Sequence, residues 1–446
     1  MLSDSELVVG ADTVVVTPDR IVSPGRLTLH DGKVTEAAQR RDGCDVFFDG
    51  CAILPGLINA HTHLEFSDLA SPLPAGATFP EWIGKVVAHR RQQESAGDGV
   101  YRKKRRDAFG KGASELYNTG TAFAADIVTE PWTASDYGHD IPRMLDNADS
   151  EIQDRIAVES SSGLDAKLRH LPSANATMLA MPEVIGLDEQ RIAATTAWAR
   201  HCVEDEPGEQ LHSLGLSPHS PYSVLIDRAA EAVQATRPST LLAMHLAESL
   251  EELEWLENRS GPFRAAFERI GVEAPSSLPS IDQCIEMLAT RRSLLVHGNY
   301  LTEAQMRNVA QSEAMSVVYC PRTHAFFGHS PYPLKGMMQL GARVVLGTDS
   351  RASNPDLDLW KELRLVRQQH PWITAKQVLA MATIHAAEAL GISGQFGALD
   401  IGYAAHAFVT PLLPGESSDR LIQRITTGVE ERPSLAAVSH LLCSRA

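Results

Sequence analysis

His61 and His63 stand one residue apart at the end of an apolar run, Leu54-Pro55-Gly56-Leu57-Ile58-Asn59-Ala60. On an extended strand, positions i and i+2 share a face and lie about 7 Å apart along the chain. Both imidazoles can therefore close on one metal ion. The run before them is apolar enough for a strand buried on both faces, as parallel strands are. A His-x-His pair alone is common on polar surfaces, so the weight falls on three strand ends further along the chain. His245 closes Met244-His245-Leu246-Ala247-Glu248, His297 closes Leu294-Leu295-Val296-His297-Gly298, and Asp349 closes Val344-Val345-Leu346-Gly347-Thr348-Asp349-Ser350. Taken singly, a buried histidine is usually a hydrogen-bonded core residue, and an aspartate after a strand is usually a cap. Five such residues at strand ends are hard to explain as caps. They offer three or four nitrogen donors and one carboxylate, a borderline set suited to Zn²⁺ or Fe²⁺.

Those side chains need a frame that gathers strand ends. From about residue 54, apolar strand candidates alternate with helical stretches: the first run, then Thr121 to Val128, Met178 to Leu187, Leu211 to Leu216, Thr240 to His245, Ser293 to His297, Met315 to Tyr319 and Ala342 to Gly347. Eight strands joined by helices predict a parallel (β/α)8 TIM barrel over 54–394, with chemistry at the C-terminal strand ends. Its last helix is expected from the Thr374 cap to Gly391. Before the barrel, 7–53 reads as short strands with turns at Pro18, Asp31-Gly32 and Asp49-Gly50. That region is too small to stand alone. A small β-sandwich domain built from both termini, 1–53 with 395–446, is expected, with Ala407-Phe408-Val409-Thr410 as a returning strand.

Composition narrows the partners. A net charge of -16 over 446 residues argues against nucleic acid or an anionic membrane surface. The basic run Arg102-Lys103-Lys104-Arg105-Arg106 is expected to be a solvated helix face. Six cysteines without paired spacing read as reduced thiols. With an N-terminus lacking an apolar leader and no spanning run, they point to a cytoplasmic protein.

The motifs Pro-Gly-Leu-Ile-Asn-Ala-His-Thr-His at 55–63, His-Leu-Ala-Glu at 245–248, Val-His-Gly at 296–298 and Gly-Thr-Asp-Ser at 347–350 resemble the amidohydrolase superfamily, as does Gly397-Ala398-Leu399-Asp400-Ile401-Gly402 with its following strand. The resemblance covers essentially the whole chain. One departure is His406, where the family usually carries a structural aspartate. Two-metal members carry a lysine at the end of the fourth strand. Here Leu214 to Tyr222 contains none, so the resemblance implies one divalent metal, zinc ahead of iron, held by His61, His63, His245 and Asp349. His-x-x-Glu on the fifth strand with a further histidine on the sixth is similar to the deaminase and chlorohydrolase branch.

That likeness implies Glu248 as general acid/base, His297 orienting the attacking water, and Asp349 relaying a proton to the leaving amine. Glu65 is a rival base, though a substrate contact fits its place better. Trp82 is a candidate stacking platform, weighed equally against a packed helix-face aromatic. His219 is expected at a sugar or its 5′ group, and Arg322, Ser350 and Asn354 are further substrate candidates, with a capping role the plainer reading of Ser350. Asn-Ala-His-Thr-His-Leu-Glu-Phe-Ser at 59–67 with Phe79-Pro80-Glu81-Trp82-Ile83 most resembles aminodeoxyfutalosine deaminases, whose benzoate would want Arg322 or Arg351. The expected substrate is a small nucleoside or heterocycle. The rivals are deaminases of S-adenosylhomocysteine, methylthioadenosine or guanine, s-triazine chlorohydrolases and, of another class, a non-catalytic binding barrel. Homodimers are common among similar proteins.

Overall fold

The computed structural model describes residues 6–138, 152–159, 164–172, 175–204, 211–270, 277–427 and 435–443. Eight strands carry the site: β1 (Leu57–Thr62), β2 (Thr121–Val128), β3 (Thr177–Val184), β4 (Leu211–Leu214), β5 (Leu242–Leu246), β6 (Ser293–His297), β7 (Met315–Tyr319) and β8 (Val344–Leu346). They form two parallel half-barrels, ordered β4-β3-β2-β1 and β5-β6-β7-β8. Isolated parallel bridges Thr62–Asp349 and Leu216–Leu242 join the two halves at both edges.

Alternation explains why these strands read as continuous apolar runs. Ile58, Phe123, Ala125, Leu179, Met181, Ala243, Leu294, Val296 and Val345 share one buried cluster, and Leu57, Ala122, Ala124, Met178, Ala180, Leu242, Met244, Leu295 and Val344 share another with the surrounding helices. Both faces are buried, as parallel sheets require.

A second sheet has eight strands. Its main path is Ala436–Ala437, Ala407–Pro411, Val46–Pro55, Leu7–Val15, Gly25–His30 and Lys33–Ala38, with Ile21–Val22 and Ile156–Val158 paired beside it. Strands from both ends of the chain thus share one sheet. Three details differ from expectation. Leu54 and Pro55 belong to this sheet, since Val46–Pro55 runs on as one strand and pairs antiparallel with Ala407–Pro411. The passage into β1 falls at Gly56, where a Cβ would stand 2.3 Å from the Ala122 Cβ; only glycine fits. Ile156–Val158, from the excursion between β2 and β3, adds antiparallel to Val46–Phe48.

The stretch after Thr374 is two helices, Ala375–Met381 and Ile384–Leu390, rather than one. The Thr374–Gln377 capping box starts the first, and left-handed Gly391 ends the second. Between them Thr383 leaves helical geometry, with ψ -100°. Among the described residues no helix is long and apolar enough to cross a membrane.

Candidate metal centre and active site

A bulge sets the first two ligands. Ile58 and Ala60 face the barrel interior, so unbroken alternation would turn His61 and His63 away from it. The register of β1 against β2 shifts between Asn59 and Thr62, where three steps on β1 match two on β2. One extra residue reverses the facing of every later position on the strand. A similar device serves β6. Val296 faces inward, and His297 takes φ +71°, the left-handed region that an L-residue occupies only where its surroundings enforce it. Asp349 at φ +57° and Ala247 at φ +52° are further non-glycine residues in that region. Strained backbone therefore concentrates at the strand ends.

The predicted ligands converge. His61 Nε2 and His63 Nε2 lie 3.6 and 3.7 Å from Asp349 Oδ1, and the Nε2 atoms of His63 and His245 are 3.3 Å apart. All four side chains are buried. His245 Nδ1 lies 3.0 Å from the His219 carbonyl. Donation there leaves Nε2 with its lone pair toward the centre. Ser353 Oγ donates to Asp349 Oδ2 at 2.9 Å, and Thr62 Oγ1 donates to the Asp349 carbonyl at 3.0 Å. Asn59 binds both the backbone N–H and the hydroxyl of Thr348, fixing the turn that carries the aspartate.

Electrostatics favour the ligating forms of His63, His245 and Asp349. Burial first, then the neighbouring His61, holds His63 and His245 well below the usual imidazole range. Burial pushes Asp349 up, but the adjacent His61, aided by His63 and His297, holds it below the usual carboxylate range. Neutral imidazoles and an ionised carboxylate are what a divalent cation takes. His61 Nε2 has no hydrogen-bond partner although buried, an orphaned donor atom that a shared cation would satisfy. His61, His63, His245 and Asp349 fit one divalent ion.

Glu248 and His297 stand beside this set, with Oε1 and Nε2 3.4 Å apart. Burial, then the charges of Asp349 and Glu252, pushes the Glu248 carboxyl well above its ordinary value, which favours its protonated form. Its backbone is pinned: Glu252 accepts from the Ala247 and Glu248 N–H groups at 3.1 and 2.6 Å, and Asn299 Nδ2 donates to the Glu248 carbonyl at 2.8 Å. Ser249 caps the helix Leu250–Asn258 that carries Glu252. Tyr332 donates to the His297 carbonyl at 2.8 Å. These supports are not apparent from motif spacing.

The substrate candidates divide. His219 lies at the centre, its ring 5.1 Å from that of His245, and burial drives it down to about 3, so it is neutral. Its Nδ1 lies against the hydroxyls of Ser220 and Ser223. Half-buried Trp82 packs edge-on to Phe327 at 5.0 Å while its indole N–H donates to the Ala352 carbonyl. It joins an aromatic wall with Phe79, Phe327, Tyr222 and Phe263, the contacts of a packed helix-face aromatic.

Five others have different work. Both Glu65 oxygens are taken, Oε1 by Arg90 at 2.6 Å and Oε2 by Arg105 at 2.5 Å. Burial raises its carboxyl, but the two guanidinium groups bring it down to about 2. It is no base. Arg105 is accordingly buried, which corrects the solvated-face reading of the basic run at that position. Arg322 is committed to Asp356 at 2.6 Å, and Arg351 to both oxygens of Glu115 at 2.8 Å, so neither presents an unneutralised charge to a benzoate. Asn354 bonds the Thr348 carbonyl and Glu362. Ser350 Oγ accepts from the Ala352 N–H at 3.2 Å, a local turn contact.

One residue escaped the motifs. Glu183 ends β3 in Met181-Pro182-Glu183-Val184, 2% exposed, with both carboxyl oxygens lacking a partner. Its Oε1 is 3.9 Å from His219 Nε2. A charged residue closing an apolar run was the available signal.

The Amidohydrolase family model matches residues 52–440. The chain belongs to that family. An adenosine deaminase of Helicobacter pylori is 27% identical over 78% of this chain and 76% of its own length. A 5-methylthioadenosine/S-adenosylhomocysteine deaminase of Pyrococcus furiosus is 24% identical over 91% of this chain and 84% of its own. Among solved structures, Helicobacter pylori aminofutalosine deaminase in complex with methylthio-coformycin superposes with a TM-score of 0.71 at 22% identity, covering 94% of this chain and 96% of that one. The likeness in fold therefore spans both sheets.

Proposed function

We propose that this protein is a metal-dependent hydrolytic deaminase that releases ammonia from an aminated purine-type ring, its substrate a 5′-substituted adenosine such as 6-amino-6-deoxyfutalosine. The observation that carries the reading is the buried Glu248 carboxyl, its Oε1 3.4 Å from His297 Nε2, beside a four-residue ligand set. The activities of the two relatives named above, on adenosine-type nucleosides, support the ring. The aromatic wall suits a flat heterocycle. The half-barrels and the terminal sheet fit a closed (β/α)8 barrel with a β-sandwich domain, and the donor set suits zinc.

His61, His63, His245 and Asp349 would hold a divalent ion, whose Lewis acidity would bring the pKa of water to about 7. Glu248 hands its proton to the ring nitrogen next to the amino-bearing carbon, which makes that carbon electrophilic. It then takes a proton from the attacking water as oxygen bonds to the carbon. His297 orients that water and steadies the developing negative charge. Asp349 passes the remaining hydroxyl proton to the amine, the C–N bond breaks, and ammonia leaves as the carbonyl forms. Glu248 ends protonated, as it began.

The test is ammonia release by metal-loaded protein from adenosine, 5′-substituted adenosines, guanine and s-triazines. Release from 5′-substituted adenosines that disappears in Glu248→Gln supports the reading. Chloride release without ammonia moves the protein to halide chemistry and overturns it.

A further inference from the structure

Glu183 is the buried ionisable group that the mechanism does not use. Its carboxyl sits at the C-terminal end of β3, where a barrel presents groups to its ligand. Neither oxygen has a partner, and the 3.9 Å to His219 Nε2 is beyond hydrogen-bond reach. Arg90 is the cation whose field it feels most, yet Arg90 is bonded to Glu65 and its own Nε–H is buried without an acceptor. Two acceptors and a donor thus lie unsatisfied in one region. Buried carboxyls without donors are rare because they lose their hydration and gain nothing in return.

The missing ligand group can be characterised. Glu65 and Glu183 balance Arg90 and Arg105, so no net charge calls for an ion. A hydroxyl donates to a carboxyl and accepts from a guanidinium at once, which an ammonium or a carbonyl does not. Two carboxyl oxygens side by side suit two adjacent hydroxyls. The neighbouring His219 ring is 5.1 Å from metal-ligand candidate His245. Hydroxyls at Glu183 would therefore belong to the substituent next to the reacting ring.

We propose that Glu183 is a specificity residue that binds the vicinal hydroxyls of the substrate's sugar. The inference rests on the deaminase reading and adds to it a requirement for a diol-bearing substrate.

The experiment compares kcat/KM for adenosine and 2′,3′-dideoxyadenosine in the metal-loaded wild type and in Glu183→Gln. The wild type is expected to favour adenosine by tenfold or more, mainly through KM. In Glu183→Gln that ratio falls to within about threefold of one, a single charge-assisted hydrogen bond being worth roughly 10- to 100-fold. Circular dichroism and metal content show whether the variant is folded and loaded. If it is not, the wild-type preference alone decides. A wild type that turns over both nucleosides equally, or a ratio unchanged by the substitution, overturns the diol contact and leaves the deaminase reading standing. A wild type that deaminates neither of these nor any 5′-substituted adenosine overturns both.

Discussion

Replacing Glu65 with glutamine removes one negative charge from between two guanidinium groups while keeping the side chain's shape. Removing one partner of a buried ion pair destabilises by about 3–5 kcal/mol, because the other charge stays buried. The surroundings place this case at the low end. Arg105 keeps the Thr129 and Pro131 carbonyls at 2.8 and 3.0 Å, so its guanidinium is not stripped of acceptors. The Arg90 side chain is 26% exposed and can turn to water. What remains is an amide N–H₂ facing guanidinium donors, and a loss of about 3 kcal/mol is expected. Urea unfolding of metal-stripped wild type and Glu65→Gln, followed by circular dichroism and tryptophan fluorescence, measures it. Because the pair is buried, the loss should hold between 0.1 and 0.5 M salt, roughly 10 Å and 4–5 Å of screening length. A difference below about 1 kcal/mol, or one that fades with salt, would refute a buried network at this place.

Glu248→Gln should keep its metal and fold while kcat falls by about 10²–10⁴; a variant within tenfold of wild type would remove Glu248 from the proton path. His245→Ala should purify with far less than the roughly one metal per chain expected of the wild type, read by plasma mass spectrometry; full occupancy would contradict the ligand set. Asp356 titrates near 2 in the fold against 3.8 unperturbed, burial being outweighed by the hydrogen bond from Arg322 and then Lys361. The stability this contributes is present above pH 3.8 and is lost as pH falls toward 2. Metal-stripped Asp356→Asn should therefore be about 1–2 kcal/mol less stable than wild type at pH 7, after allowance for partial solvation, with the gap closing by pH 2; a gap independent of pH would contradict the assignment.

Strands whose both faces are buried were legible almost to the residue. Thr121–Val128, Ser293–His297 and Met315–Tyr319 begin and end where their apolar runs do. The ligand residues were legible because each closes such a run. What makes them converge was not. The extra residue between Asn59 and Thr62 and the left-handed turn at His297 are set by tertiary neighbours, and local propensity carries no trace of them. Long-range pairing was equally hidden. Arg105 lies in a run of five basic residues, and nothing in that run marks it as the one facing Glu65 40 positions away. Arg322 and Arg351 looked available because Asp356 and Glu115 become neighbours only in the fold. Thr383 interrupts its helix in a segment of good helix formers, so packing there overrides propensity.

The pairing of Val46–Pro55 with Ala407–Pro411 bears on how this chain is made. At about 5–20 residues per second, the ribosome needs roughly 20–70 s to supply the second strand after the first has emerged. For that interval an apolar strand, including Phe47, Phe48, Ile53 and Leu54, has an open edge capable of pairing with another nascent chain. Ile156–Val158 covers its first three residues much sooner and keeps them in the finished sheet, a built-in chaperone supplied by the chain itself. Deleting that short strand should lower soluble yield during synthesis more than it lowers the stability of the finished protein.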